Sequence, residues 1–398
     1  WFDEWNMFYT VDPSLSIDET WQRYFGDRGD HTLPEYYPPL NAFVLKSFLN
    51  IFGYSVENAR LLTLVFGFGS IILVYYLTKI FTTQRNSLIT TCLASFNLFL
   101  IWQSSEIRPH SFVVFFSLLN IIFFFNLLRK NNIINSFLYT LSSVLILSSW
   151  PFTLIIFFGK LIFLFQDFLI NKKKNILINT CIIFSLLIYI FLNYEYLLYH
   201  LARDEHYTKL YLGFFYSYHF RSFFGSIFIG GIFLIIFSIM VLYNLKNIIF
   251  KNSKENLLIL IIISSYFLTI TYSIIGASVI SPKYVIFILP LIIVWVTLKI
   301  LDSNFKYKNY FLYILIFISI ISSSINIYNN PIDRPPTKKM LKIISSSKVN
   351  KIFTSETIVF NNFLKSHKIF KKNSFEVENM MNFNSSEKSF WFLCLNNP

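Results

Sequence analysis

The sequence predicts an all-α polytopic membrane protein, and three observations carry that prediction. Of its 398 residues, 55% are hydrophobic and 14% charged, where a soluble domain carries about 25% charged residues. Mean hydropathy is +0.54. Apolar runs close to spanning length follow one another along the chain, parted by short polar connections. A hydrocarbon core of about 30 Å takes roughly 20 apolar residues of helix. Backbone facing lipid must satisfy its own hydrogen bonds, which leaves helices or closed barrels. The runs are continuous and not alternating, so helices fit and a barrel does not.

In chain order, residues 1–58 are polar to amphipathic, and Pro13, Asp27, Gly29 and Pro38-Pro39 divide them into short helices and turns. Between 42 and 52, Phe43, Val44, Leu45, Phe48, Leu49, Ile51 and Phe52 oppose Asn41, Lys46 and Asn50, the pattern of a helix lying in the interface. About ten spans are expected next, near 61–79, 87–102, 111–128, 133–150, 152–170, 176–196, 223–245, 256–276, 284–301 and 309–328. The short 87–102 run and the break at Trp150-Pro151 are the weakest of these. After Tyr328, Asn329-Asn330-Pro331 and Arg334-Pro335-Pro336 form a linker, and 337–398 mix charged and apolar segments like a small α/β unit. About sixty residues make a marginal domain alone, so docking on the rest is expected. The reading is thus an outer loop with interfacial helices (1–58), a transmembrane domain (59–328) and a small extracytoplasmic C-terminal domain (329–398).

Charge distribution sets the topology. A formal net charge of +13 would suit a nucleic-acid partner, but the basic residues concentrate in alternate connections. These hold Lys79 and Arg85; Arg129 and Lys130; Lys172, Lys173 and Lys174; Lys246, Lys251 and Lys254; and Lys299, Lys306 and Lys308. With residues 1–58 outside, all fall on one side, as the positive-inside rule requires. Nucleic acid is excluded on that distribution. The other side receives mixed charges: Glu106 and Arg108; Arg203, Asp204 and Glu205; Lys283. Cys92 and Cys181 lie in apolar runs and Cys394 stands alone in the tail, so no disulfide framework is expected. The 48 Phe follow the codon bias of an AT-rich genome and carry no functional weight.

Four polar clusters at the outer ends could carry chemistry. Asp3-Glu4 puts adjacent carboxylates beside aromatic residues at a membrane surface; by residue type alone they read first as a solvated loop end. Glu106 and Arg108 lie in Ser104–His110, between two spans, where a snorkelling arginine is the plain alternative. Lys283 in Ser281-Pro282-Lys283-Tyr284 reads as a phosphate partner or an interfacial anchor. The 197–222 loop holds His200, Asp204, Glu205, His206 and His219, a set that fits solvation or acceptor recognition better than metal; His31 is equally open. No Gly-rich phosphate loop is present.

The order of these pieces resembles the bacterial membrane glycosyltransferases of the GT-C superfamily, such as protein O-mannosyltransferases (dolichyl-phosphate-mannose-protein mannosyltransferase-like) and lipid A aminoarabinose transferases. There an Asp-Glu pair follows the first membrane helix. A His-Pro-Pro-Leu-like segment, an amphipathic helix, Phe-Gly and an Arg opening the next span come after it. Here the order is Asp3-Glu4, Tyr37-Pro38-Pro39-Leu40, Phe52-Gly53 and Arg60, with Tyr37 where His is common. Ser105-Glu106-Ile107-Arg108-Pro109-His110 is similar to the family's Gln-Glu-Ala-Arg-Pro-Tyr, with Ser105, Ile107 and His110 as departures, and Pro282-Lys283-Tyr284 is similar to its Pro-Arg-Tyr. The resemblance covers roughly 1–300 and also implies a first span missing before Trp1.

It implies a GT-C fold and an inverting glycosyltransferase that moves a sugar from a polyprenyl-phosphate donor to an extracytoplasmic lipid, glycan or protein, in the cytoplasmic membrane of the cell envelope. Asp3 would be the base and Glu4 its orienting or acceptor-binding neighbour. Arg108 and Lys283 would bind the donor phosphate, and Glu106, Tyr37 and His31 would contact substrate. Helix 41–52 would guide the membrane lipid. No cofactor is assigned; relatives differ in using divalent ions, which leaves a metal open. The alternative is a transporter or flippase of lipid-linked saccharides, which would bury ionisable residues near mid-membrane.

Overall fold

The computed structural model describes residues 2–25, 38–173, 175–201, 211, 213–251, 253–275, 280–329, 343–344, 346, 351–354, 376–379 and 391–393. The fold is all-α and polytopic. The helices are α1 (Phe2–Thr10), α2 (Ile17–Tyr24), α3 (Leu40–Phe52), α4 (Val56–Lys79), α5 (Gln84–Ser95), α6 (Leu98–Ser104), α7 (His110–Arg129), α8 (Ile133–Leu147), α9 (Leu154–Asn171), α10 (Ile176–Leu192), α11 (Tyr194–Leu201), α12 (Arg221–Phe224), α13 (Ile227–Phe250), α14 (Asn256–Ile275), α15 (Ile288–Asp302) and α16 (Lys308–Asn329). A 3-10 turn at Pro151–Thr153 opens α9, and a π-helical turn at Phe215–Phe220 leads into α12. Three short parallel strands, β1 (Lys351–Thr354), β2 (Glu376–Asn379) and β3 (Trp391–Leu393), pair in the order β2-β1-β3. Ile352 sits opposite Val377 and Trp391.

Local chemistry explains many of the boundaries. Ser16 and Glu19 close a capping box on α2, while Thr83, Asn132 and Ser226 cap α5, α8 and α13. Gly53, at φ 95°, ends α3 in a backbone region that suits glycine, and Asn58 Nδ2 donates to the freed carbonyls of Phe52 and Gly53 at 2.6 and 2.9 Å.

Helix occurs in all ten apolar segments expected to span, but fewer reach spanning length. Six are long and apolar enough: Val56–Lys79, His110–Arg129, Pro151–Asn171, Ile227–Phe250, Asn256–Ile275 and Lys308–Tyr328. A seventh is the pair α5 and α6, bent by 65°. Asn97 makes that bend: its Oδ1 accepts from Leu100 N to start α6, while its Nδ2 donates to the carbonyl of Phe223. The others form the shorter helices α8, α10 and α15, of 15, 17 and 15 residues. Breaks at 148–150, Asn193 and 282–287 cut them short. Among the described residues, six helices, or seven with the bent pair, are long and apolar enough to span, where the sequence suggests about ten.

The chain divides into two compact units. One comprises Trp1–Thr63, Glu106–Arg108 and Tyr328–Pro398; the other comprises Leu64–Ser105 and Pro109–Ile327. In the second unit α9 packs along α14, and α7 and α10 pack against α8. Gly159 permits the first contact, since a Cβ there would lie 2.8 Å from Ile261 Cα. Gly67 likewise admits Ser104. Hydrogen bonds group the connections of this unit by end. Lys299 pairs with Glu255, and Arg85 donates to the Tyr313 hydroxyl at 3.2 Å, among the basic connections. Asn193 donates to Ser148 Oγ at 3.1 Å and Trp150 Nε1 to the Tyr284 carbonyl at 2.9 Å, among the others.

Two sequence readings need correction. Asn41 and Lys46, taken as the polar face of an interfacial helix, are buried. Lys46 Nζ donates to the carbonyls of Asp12 and Leu15, both at 2.8 Å, satisfying the backbone between α1 and α2. Ile51 and Phe52 are the exposed end of α3. Nor do polar groups gather only at helix ends. Lys160, fully enclosed within α9, donates to Asn120 Oδ1 of α7 and lies 3.5 Å from the hydroxyl of Tyr139 in α8. Asn120 Nδ2 in turn donates to Ser142 and Ser143 at 3.0 and 2.9 Å. The rings of Phe124, Tyr139 and Phe157 surround Lys160 Nζ at 4.7–5.1 Å.

Candidate active site

The first unit builds its polar centre on α1. Tyr54, Arg23, Arg60 and the Ile107 amide all contact this helix. Tyr54 stacks on Phe8 at 4.1 Å and donates its hydroxyl to the Phe8 carbonyl at 2.8 Å. Arg23 lies over the Tyr9 ring and donates to the Tyr9 carbonyl. Glu4, 2% exposed, accepts from Arg60 Nη2 at 3.3 Å on one carboxylate oxygen and from the Ile107 amide at 2.8 Å on the other.

That last pair of contacts joins three distant parts of the sequence. Arg60 is available because α4 begins at Val56, which puts it in the second turn of the helix. Ile107 N–H is available because the chain turns tightly between α6 and α7: Arg108 N donates to the Glu106 carbonyl at 2.8 Å, two residues back. Pro109 holds Arg108 out of helical conformation and then leads into α7. Burial raises the Glu4 carboxyl, the Arg60 charge and the Ile107 hydrogen bond act in the opposite direction, and the group lies below the usual glutamate range.

The expected site residues distribute as follows. Asp3 lies in α1, one residue before Glu4. Glu106 and Arg108 are both buried, at 6% and 8% exposure, on either side of the amide that Glu4 holds. Glu4, Arg60, Glu106 and Arg108 therefore share one unit with the backbone of Asp3. Lys283 belongs to the other unit, half-buried in the turns at 282–287 that precede α15. Tyr37 and His31 lie outside the described residues, as do Asp204, Glu205 and His206. His219 is fully buried, with Nε2 3.0 Å from the Tyr266 hydroxyl. Among the described residues no group of three or more His, Cys, Asp or Glu is placed to hold a metal ion.

Arg60 entered the sequence reading only as an ordering mark and Ile107 only as a departure from a pattern; the structure makes both partners of Glu4. In the sequence Trp150 marks a break between two expected spans. Its ring packs against His110 at 5.9 Å and Tyr284 at 5.4 Å. Tryptophan beside proline at a span end was the available signal, since a buried indole N–H needs an acceptor.

The polar centre combines a buried, ion-paired carboxylate, a second acidic residue and an arginine on one backbone turn. It can orient a neighbouring general base and offer cationic charge to an anion. Residues 36–194 match the family model for dolichyl-phosphate-mannose-protein mannosyltransferase. The match takes in Arg60, Glu106, Arg108 and Trp150. No curated protein matches the chain.

Proposed function

We propose that this multi-pass membrane protein, whose residues 36–194 match the family model for dolichyl-phosphate-mannose-protein mannosyltransferase, is a GT-C-type glycosyltransferase that moves a sugar from a polyprenyl-phosphate donor to an acceptor outside the cytoplasmic membrane, with inversion. The Asp3 carboxylate takes the proton of the acceptor hydroxyl. The acceptor oxygen attacks the anomeric carbon from the face opposite the phosphate, the sugar–phosphate C–O bond breaks, and polyprenyl phosphate leaves with the bonding electrons. A base of this kind contributes about 10²–10⁴-fold. Arg108 is the fork for the leaving phosphate, and Lys283 is assigned as a phosphate-binding cation. Glu106, with Tyr37 and His31, is assigned to substrate.

The observation that supports this reading best is the Glu4 clamp. By binding Arg60 and the Ile107 amide, Glu4 gives the helix that carries Asp3 a fixed relation to the Glu106–Arg108 turn. Glu4 is thereby a positioning residue, which refines its expected role as neighbour of the base. The division into an outer loop region, a transmembrane domain and a C-terminal domain at 58 and 328, with the first and last extracytoplasmic, belongs to the same proposal.

One observation favours the transporter alternative: Lys160 is an ionisable residue inside the helix bundle. Yet it is fully enclosed and engaged by Asn120 and Tyr139 on uninterrupted helices, where a transport site is built on broken helices around a cavity.

The test is label transfer from polyprenyl-phosphate-linked sugars to cell-envelope acceptors, comparing wild type with Asp3→Asn at equal expression. Loss of at least a hundredfold is expected. Equal labelling by both proteins removes Asp3 as the base.

A further inference from the structure

His219 lies in the π-helical turn Phe215–Phe220 of the second unit, with no exposed surface. Its Nε2 is 3.0 Å from the Tyr266 hydroxyl of α14, and its Nδ1 is buried without a hydrogen-bond partner. The rings of Phe214, Phe215 and Phe223 pack round the imidazole at 4.4–6.0 Å. A π-helical turn is rare and frequently marks a functional position. A ring nitrogen enclosed without a partner forgoes the hydrogen bond that water would supply, so this histidine is held inside at a cost.

The stretch that carries it is bounded by hinges. Gly213 at φ 89° and Gly225 at φ 75° stand at its two ends, in a backbone region that suits glycine. Among the described residues, two side-chain hydrogen bonds tie the residues between them to other helices. One is His219 to Tyr266; the other runs from Asn97 Nδ2 to the Phe223 carbonyl at 2.8 Å. The rest of the hold is close packing: a Cβ on Gly230 of α13 would lie 2.5 Å from the Phe220 carbonyl oxygen.

We infer that residues 214–224 form an acid-released latch: a neutral His219 holds the stretch shut against Tyr266, and a proton on the imidazole frees it to turn about Gly213 and Gly225. Release withdraws the Phe223 carbonyl from Asn97, the residue that bends α5 into α6. The titratable and charged side chains around His219 are Tyr266 of α14 and, on its own stretch, Tyr216, Tyr218 and Arg221; α13 carries none from Ile227 to Leu242, and α6 none. No carboxylate among them balances a proton. Burial pushes the enclosed imidazole down to about 3, while a ring released to water returns to about 6.5. The closed form therefore binds fewer protons than the open one. Its advantage is complete above the open value and is lost as pH falls from there toward the closed value.

Opening is measured by hydrogen exchange with mass spectrometry, on the full chain in nanodiscs of zwitterionic lipid. Peptides covering 214–224 are compared with peptides from α7 at about pH 7.5 and about pH 5, after correction for the intrinsic pH dependence of amide exchange. With the open imidazole at about 6.5 and the closed one at about 3, the ratio of open to closed rises about 30-fold between those two conditions. His219→Gln keeps a polar side chain beside Tyr266 but takes no proton, so the pH step disappears. Tyr266→Phe removes the hydrogen bond and leaves the imidazole, so opening rises at both pH values and the step remains. Should the variants not fold, a wild-type titration suffices: opening is flat above about pH 6.5 and grows about tenfold per pH unit below it.

Opening of 214–224 that does not change between the two conditions overturns the latch. A rise shared equally by α7 reports general acid unfolding and overturns it as well. So does a pH step that folded His219→Gln retains, because the responsible proton then binds elsewhere.

Discussion

Replacing Glu4 with glutamine tests the clamp that organises the proposed site. Glutamine keeps the volume, and its carbonyl oxygen still accepts from the Ile107 amide, but the charge facing Arg60 is lost. At 3.3 Å the gross attraction is about 5 kcal/mol with an effective dielectric of about 20. Desolvation offsets part of it, and deleting one partner of a buried pair costs about 3–5 kcal/mol in practice. Arg60 keeps 33% of its side-chain surface exposed and can turn to water, so the expected loss is about 2 kcal/mol. If α1 loses its hold on the Glu106–Arg108 turn to that extent, sugar transfer falls roughly 30-fold, with membrane insertion intact. The assay is label transfer by Glu4→Gln, Arg60→Met and the double variant, alongside thermal unfolding in detergent. Because one contact is removed twice, the double variant should match the weaker single variant. Losses that simply add would refute the clamp. The pH dependence has a fixed sign. The folded carboxyl lies below its unfolded range, so its contribution is complete above that range and disappears as pH falls through the folded value. Glu4→Gln should therefore flatten the acid limb of the unfolding curve.

Two further outcomes follow from the helix bundle. Lys160→Met keeps the stem and leaves Asn120 Oδ1 without its ammonium donor, so it should cost about 1–2 kcal/mol; Lys160→Ala, which also opens a cavity, should cost about 2–5 kcal/mol. Thermal unfolding reads both, and unchanged label transfer in folded Lys160→Met is the expected companion result; abolished transfer would give Lys160 a functional role. Gly159→Ala sets a methyl 2.8 Å from Ile261 Cα and should cost about 1–3 kcal/mol by forcing α9 and α14 apart. A melting temperature equal to wild type would refute that close approach.

The sequence carried the fold class and the order of the site, and the physical reason is the same for both. Hydropathy is summed locally, so every expected apolar run proved helical. Where a run bends or stops is decided by single polar residues. Asn97, one amide inside 87–102, turns an expected span through 65° by bonding to Leu100 and Phe223. The motif pieces Asp3-Glu4, Arg60, Glu106 and Arg108 were legible in order, but their pairing was not, because the partner of Glu4 at 107 is a backbone amide that no residue type announces. Lys160 escaped notice because its partner Asn120 lies 40 positions earlier, on another helix. Lys46 was assigned to solvent because helical periodicity separates two faces without saying which of them meets the backbone carbonyls of a neighbouring connection.

The Glu4 clamp also bears on how the protein is made. Its two contacts reach forward 56 and 103 positions, so a ribosome has to deliver two more stretches of chain after Glu4 before the carboxylate finds both partners. Closing such long loops adds little free energy per extra residue, but it imposes an order of events. Until both stretches are delivered, the Glu4 carboxylate lacks the partners that Arg60 and the Ile107 amide supply. The segment around 106–108 then has to emerge on the same side of the membrane as α1. A nascent chain arrested before Ile107 is therefore a biosynthetic intermediate with an unfinished centre, and an insertion error that inverts α5 and α6 leaves it unfinished for good.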